Sequence, residues 1–89
     1  MKLFQLKKIK PVPNSYSGGT LYYIFFNDGE KSFKTCIDSR FRNYRNWKKI
    51  IEQGERGDII TNLRTKSRGL IDADSIPNIR KNLFYEQKW

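Results

Sequence analysis

The sequence predicts a mainly β domain that contains one helix. Eighty-nine residues leave room for a single hydrophobic core, so residues 1–79 are expected to form one domain and residues 80–89 a basic and aromatic tail. The chain has one alanine, whereas isoleucine, tyrosine, phenylalanine and threonine are common, and that composition favours strands. Apolar residues alternate with polar ones in several short stretches and follow a helical period in only one.

The first strand is predicted at residues 1–10, where apolar residues are interspersed with lysines. Pro11 and Pro13 are expected to end its pairing, because proline has no backbone N–H to donate to a neighbouring strand. Residues 14–19 (NSYSGG) are rich in serine and glycine and predict a loop.

A β-hairpin is predicted next. Residues 20–26 (TLYYIFF) form the strongest predicted strand in the sequence, and residues 31–38 form the returning strand. Asp28-Gly29 lies between them and is the usual signal for a tight two-residue turn. Such a turn pairs Asn27 with Glu30.

One helix is predicted at about residues 40–53. Ser39 is placed to cap its first turn, and Gly54 is placed to end it. Residues at three- to four-residue spacing make one apolar helical face: Phe41, Tyr44, Trp47 and Ile51.

Two further strands are predicted at residues 58–64 and 70–75, with residues 65–69 (TKSRG) as the hairpin loop between them. Gly57 marks the turn into the first of these strands. The predicted order is therefore strand, strand, strand, helix, strand, strand.

This order, together with a glycine-bearing loop ahead of an aromatic strand (YSGGTLYYIFF), resembles the OB-fold single-stranded-DNA-binding proteins, especially the small phage type, over roughly residues 1–79. The resemblance implies a five-stranded OB-like barrel that binds oligonucleotides on strands 2 and 3 and the loops beside them, and a role in DNA replication. Bacterial members of that family end in an acidic tip that recruits partners. This chain ends Glu86-Gln87-Lys88-Trp89, so that role is not implied.

Alternation assigns two faces to the predicted hairpin. The more apolar face, expected to line the core, carries Tyr22, Ile24, Phe26, Phe33 and Ile37. The other face carries Tyr23 and Phe25 beside Lys34, with Tyr23 expected opposite Lys34. Rings beside a cation suit single-stranded nucleic acid, because each stacked base contributes about 1–3 kcal/mol while the cation meets a phosphate. Alternatively, these rings cover a second small core or a subunit interface.

Positive charge is distributed over several elements. Lysine and arginine number 18 against nine acidic residues, and the net charge of +9 attracts polyanions. In the resembled fold the first and fourth interstrand loops flank the binding groove, so Lys7, Lys8 and Lys10 lie near one of them. A further basic cluster on the helix is interpreted as a solvated face: Arg40, Arg42, Arg45, Lys48 and Lys49.

These features predict non-sequence-specific binding of single-stranded nucleic acid, with DNA as the first candidate and RNA as the alternative. The predicted site has Tyr16, Tyr23 and Phe25 as stacking rings and Lys34, Arg64, Lys66 and Arg68 as phosphate contacts. The alternative is a small basic protein-interaction module, for example a phage-encoded inhibitor or assembly factor, with no nucleic-acid role of its own. Either function is compatible with a homodimer formed through the C-terminal tail or a strand edge.

Other functions are expected to be absent. The chain has no histidine and one cysteine, Cys36, which excludes His-based catalysis and Cys/His zinc sites. Asp72 and Asp74 could share a strand face and hold Mg²⁺, or could instead pair with Arg64 or Arg68; we expect no enzyme, no metal and no cofactor. No apolar run is long enough to span a membrane, and residues 1–10 lack the apolar core of a signal peptide. We therefore expect no membrane partner and a cytoplasmic location, in the host cytoplasm if a phage encodes the protein.

Overall fold

A computed structural model describes residues 2–81. Within this range it confirms a mainly β architecture with one α-helix. The elements are β1 (Phe4–Asn14), β2 (Gly19–Asn27), β3 (Ser32–Asp38), α1 (Tyr44–Gln53), β4 (Ile59–Thr61), β5 (Thr65–Lys66), a 3-10 turn (Ser67–Gly69), β6 (Leu70–Ile71) and β7 (Asn78–Arg80). The tail predicted at residues 80–89 lies outside the described residues from position 82 onward, and Arg80 is the last residue of β7.

The strands form one curled, open sheet in the order β5-β6-β3-β2-β1-β4-β7. Neighbouring strands are antiparallel except β3 and β6, which are parallel where Lys34 meets Leu70. β5 is at one end of this order and β4 is near the other, yet only residues 62–64 join them. Four Cα–Cα steps span at most about 15 Å, so the two ends of the sheet must approach each other. The sheet is therefore bent into a half-barrel.

The core lies inside this curl. Its fully buried or nearly buried side chains are Phe4, Leu6, Ile24, Phe26, Phe33, Ile37, Trp47, Ile50, Ile60 and Ile71. The predicted inner face of β2 and β3 is confirmed, because Ile24, Phe26, Phe33 and Ile37 are buried and Tyr22 packs against them. The Phe4 ring meets the Phe33 ring edge-on, with centroids 5.2 Å apart. Trp47 is completely buried, and its indole N–H donates a hydrogen bond to the carbonyl of Ala73 at 2.8 Å.

β1 continues through both of its prolines, so the prediction that they end its pairing was wrong. Pro11 lies opposite Tyr22, and Pro13 lies opposite Thr20. Residues two apart on a strand turn their backbone nitrogens to the same side. The Asn14 carbonyl accepts the N–H of Gly18, just before β2, at 2.9 Å, so positions 11 and 13, which alternate with position 14, direct their nitrogens away from β2. The pairing with β2 therefore loses no hydrogen bond.

The turn between β2 and β3 is longer than predicted. Asn27 pairs with Ser32 instead of Glu30, so the turn comprises residues 28–31. The Asp28 carboxylate accepts the backbone N–H groups of Glu30 and Lys31 at 2.9 and 2.8 Å. The Lys31 and Glu30 donors, with the Lys2 ammonium 3.3 Å away, lower the pKa of Asp28 to about 2. Because the register moved by two residues, every side chain of β3 kept its predicted face.

The helix begins at Tyr44, later than predicted, and Ser39 does not cap it. The Ser39 hydroxyl instead accepts the backbone N–H of Thr20 at 2.9 Å. Phe41 consequently precedes the helix and is 63% exposed, contrary to its predicted place on the apolar face. The end at Gly54 is as predicted: a side chain there would collide with the Ile50 carbonyl oxygen and with the Leu6 side chain.

The last two predicted strands were wrong in extent and pairing. β4 ends at Thr61, since Asn62 adopts a left-handed conformation with φ 68°, and β4 pairs with β1 and β7. The hairpin in this region is the short one formed by β5 and β6. Residues 72–75 form a turn instead of a strand, because the Asp72 carboxylate accepts the backbone N–H of Asp74 at 3.0 Å. Local hydrogen bonding of this kind is typical of aspartate in turns.

Candidate nucleic-acid interface

The two predicted stacking rings of β2 lie on the convex side of the sheet, outside the core. Phe25 is directly between Lys8 of β1 and Lys34 of β3, whereas Tyr23 is between Lys10 of β1 and Cys36 of β3. Residues directly opposite each other on neighbouring strands share a face of the sheet. We call these residues the outer face: Lys8, Lys10, Tyr23, Phe25, Lys34 and Cys36. Both rings are half-buried, and the three lysines are exposed.

A β-bulge places the lysines of β1 on this face. Phe4 and Leu6 point into the core, but the register shifts between Leu6 and Lys8, so that Ile9 faces the core instead of Lys8. A bulge adds one residue to one strand and reverses the alternation beyond it. Lys8 and Lys10 were expected near the groove but not in the predicted site. The signal was the change from even to odd apolar positions between Leu6 and Ile9.

The register also changes the partner of each ring. Tyr23 was predicted opposite Lys34; it lies opposite Cys36, and Phe25 takes the place opposite Lys34. The physical reason is the four-residue turn, which moves β3 by two positions. Burial raises the pKa of the Cys36 thiol, a hydrogen bond from Tyr23 lowers it, and the nearby Asp38 carboxylate raises it.

A cavity of about 240 Å³ opens beside Phe25. Its lining residues are Phe25, Ser32, Phe33, Lys34, Arg68 and Gly69. The 3-10 turn reaches this position because Arg68 and Gly69 both have positive φ, 63° and 72°. A Cβ atom on Gly69 would lie 3.1 Å from the Ser32 carbonyl oxygen, so the turn packs closely against β3. The structure thus brings three predicted site residues, Phe25, Lys34 and Arg68, to one cavity.

Tyr16 is at the tip of the loop between β1 and β2, and its side chain is 100% exposed. The backbone of the loop on either side of Tyr16 is fixed by hydrogen bonds. The Asn14 side chain accepts the Tyr16 N–H at 3.0 Å and donates to the Asp38 carboxylate at 2.8 Å. Arg40 donates from Nε to the Ser17 carbonyl at 3.3 Å. The loop therefore presents a ring to solvent from a fixed base.

Arg64 and Lys66, the two remaining predicted phosphate contacts, do not join Phe25, Lys34 and Arg68 at the cavity. The Arg64 guanidinium forms an ion pair with the Asp72 carboxylate at 3.2 Å, which was the alternative to metal binding for that aspartate. Lys66 is exposed on β5, at one end of the sheet. Neither side chain lines the cavity beside Phe25.

The residues described by the structure were compared with two other kinds of feature, a metal site and a membrane-spanning helix. Among residues 2–81, no group of three or more acidic, cysteine or histidine side chains is arranged to hold a metal ion. The helix found in this range, ten residues long, is too short and too polar to cross a bilayer. No protein family, curated protein or solved structure matches this chain. What the outer face can bind is therefore inferred from its own chemistry.

Proposed function

We propose that this protein binds single-stranded nucleic acid on the outer face without sequence preference, with DNA as the first candidate ligand and RNA as the alternative. The observation that supports this most directly is the alternation of cations and rings across three strands, Lys8–Phe25–Lys34 and Lys10–Tyr23. Every base has a flat face that can stack on an aromatic ring, and every nucleotide carries a phosphate. The alternating rings and cations can therefore bind the bases and phosphates that all single strands have in common.

The cations of the outer face, and Arg68 in the cavity beside it, are available to a ligand. Within residues 2–81, Lys8, Lys10, Lys34 and Arg68 take part in none of the ion pairs, which involve Lys2, Arg64 and Lys81 instead. A phosphate that meets such a cation does not have to displace a carboxylate. It also releases condensed counterions, which favours binding at low salt.

The finer architecture that we propose is a five-stranded OB-like barrel in which β4 and β5 act as one strand interrupted at residues 62–64. Three features support it: α1 lies between β3 and β4, β1 pairs with both β2 and β4, and the chain at 62–64 draws the two ends of the sheet together. In such barrels oligonucleotides lie across strands 2 and 3, between the flanking loops. Here the flanking loops carry Tyr16 and Arg68.

The test of the proposed function is the double substitution Tyr23→Ala and Phe25→Ala. If each ring stacks one base, affinity for oligo(dT) falls by about 2–4 kcal/mol, or roughly 30- to 1000-fold. Fluorescence anisotropy of a labelled oligonucleotide measures the loss, and circular dichroism verifies the fold. Oligo(rU) of the same length, titrated in parallel, shows whether DNA or RNA is the better ligand.

The matched control is Leu3→Ala with Ile76→Ala, which removes two exposed apolar side chains, 52% and 62% exposed, that are not part of the outer face. We expect this control to bind oligo(dT) as the parent does. Equal affinity of the Tyr23/Phe25 variant and the parent would remove both rings from the site. Weak parental binding that does not respond to salt would instead favour the protein-interaction module.

A further inference from the structure

A second cavity, of about 290 Å³, lies next to the start of α1 and shares no lining residue with the cavity beside Phe25. We call it the Phe41 pocket. Its lining residues are Phe41, Arg42, Asn43, Arg45, Asn46 and Asp74. Its volume is at the lower end of the range for small-molecule sites, so it suits a single small unit such as one nucleotide.

The wall of the pocket includes an aromatic ring that the fold leaves in solvent. Phe41 is 63% exposed although six of the molecule's other rings are packed in or against the core. Its backbone is nonetheless fixed: Phe41 donates its N–H to the Asp38 carbonyl at 3.0 Å and accepts the N–H of Tyr44 at 3.1 Å. A rigid backbone with an exposed ring provides a platform on which a base can stack.

The polar groups around this ring include both donors and acceptors. Within the described part of the chain, the guanidinium groups of Arg42 and Arg45 have no ion pair and no hydrogen bond. Asn43 has a buried Oδ1 atom without a hydrogen-bond partner. Asp74, also in the wall, contributes a carboxylate. Nucleobase edges combine donors with acceptors, and arginine is a common phosphate ligand.

The pocket is connected to the loop of Tyr16. Arg40, the residue before Phe41, donates to the Ser17 carbonyl, and Ser17 is the residue after Tyr16. Arg40 thus links the loop of Tyr16 to Phe41 in the wall of the pocket.

We infer that the Phe41 pocket binds one further nucleotide of the strand that lies on the outer face. Its base stacks on Phe41 with its polar edge toward Asn43 and Asp74, and its phosphate lies by Arg42 and Arg45. This inference rests on the proposed function and extends it, since the bound strand would continue past the sheet toward α1. It also assigns a ligand to Arg42, which precedes α1, and to Arg45, two members of the basic cluster that was interpreted as a solvated helix face.

The experiment compares oligo(dT) of about five nucleotides, whose four phosphates match Lys8, Lys10, Lys34 and Arg68, with one of about twelve, within the usual site size of an OB fold. We expect Phe41→Ala to weaken binding of the long oligonucleotide by about tenfold, the loss of one stacked base, and to leave the short one unchanged. Because Phe41 is mostly exposed, the variant is expected to fold normally. Arg42→Ala with Arg45→Ala is expected to have the same length-dependent effect.

The matched control is Lys48→Ala with Lys49→Ala, which removes two exposed charges from the same helix outside the pocket. An equal loss in this control and in the Arg42/Arg45 variant would mean that charge alone matters, and would overturn the inference. So would unchanged binding of the long oligonucleotide to the Phe41 variant, for example because the pocket takes an acidic peptide. In that case loss of short-oligonucleotide binding in the Tyr23/Phe25 variant would still support the proposed function. Failure of the parent to bind either length would remove both proposals.

Discussion

Asp38 shows how one buried carboxylate can position a binding loop. Its side chain is 4% exposed at the end of β3, where it accepts the backbone N–H of Arg40 at 2.9 Å and the Asn14 side-chain amide at 2.8 Å. The Arg40 N–H lowers the pKa of Asp38 most, and hydrogen bonds from Ser17 and Asn14 lower it further. Ser17 and Asn14 flank the tip that carries Tyr16. The charge of Asp38 therefore stabilises the loop.

The lowered pKa of Asp38 predicts how the stability of the protein depends on pH. Since the pKa of Asp38 is lower in the folded protein than in the unfolded chain, its stabilisation is present above the unfolded pKa and is lost as pH falls through the folded pKa. Asp38→Asn should lower the Tm at neutral pH, because its amide would place a donor against the donor of Asn14. Thermal unfolding followed by circular dichroism from pH 7 to pH 2 measures both proteins. We expect the difference in Tm to shrink with falling pH; a constant difference would contradict this assignment.

At the scale of single elements, β1 illustrates protection of a strand edge. β4 pairs with β1 at Phe4 and Gln5, so from Lys8 to Asn14 the other edge of β1 has no partner strand within residues 2–81. Pro11 and Pro13 direct their nitrogens to that edge. Unpaired edges invite pairing with a second molecule, and proline prevents this by removing the donors. The prolines that seemed to end the strand therefore protect it.

Replacing both prolines should expose this edge. Pro11→Val with Pro13→Thr restores two N–H donors at positions where the backbone is already extended, and we expect the variant to self-associate more strongly than the parent. Sedimentation velocity over a range of protein concentrations measures the change. Pro77→Ala, at a proline outside every described strand, is the control. Equal sedimentation of parent and double variant would show that the prolines do not protect the edge.

At the scale of the whole molecule, the effect of the excess positive charge on binding depends on where the cations lie on the surface. A net charge of +9 attracts any polyanion at long range, but only the cations that contact phosphates contribute to the salt dependence of binding. If Lys8, Lys10, Lys34 and Arg68 each contact one phosphate, the slope of log K against log[salt] is about −3, from roughly −0.7 per phosphate of a single strand. The slope therefore reports the number of phosphate contacts.

A charge-matched pair of variants separates position from total charge. Lys8→Gln with Lys10→Gln should reduce the magnitude of the slope by about 1.4, because two phosphate contacts are lost. On a short oligonucleotide confined to the outer face, Lys48→Gln with Lys49→Gln should leave the slope near the parental value despite the same change in net charge. Anisotropy titrations between about 50 and 200 mM salt provide both slopes. Identical slopes for the two variants would contradict contacts at Lys8 and Lys10.

The features that local pattern predicts are those that depend on neighbours in the chain. Alternation over TLYYIFF and SFKTCID was sufficient to assign the inner and outer faces of β2 and β3, and that assignment survived a register error because the error was an even number of residues. Gly54 ended the helix as predicted, since its close contacts are largely within its own turn. Tyr16, in the predicted loop, is fully exposed, but whether its ring stacks a base stays a prediction.

What the sequence by itself determined is therefore which side chains share a face and where the chain turns from strand to helix. Only the tertiary structure decided which strands are neighbours: β4 lies beside β1 and β7, and β6 runs parallel to β3. Those pairings placed Arg68 beside Phe25, and the bulge after Leu6 placed Lys8 and Lys10 beside the rings. Contacts between segments that are distant in the chain depend on how the sheet closes and how its core packs. The periodicity of a single strand predicts neither of these, so the contacts could not be predicted from the sequence.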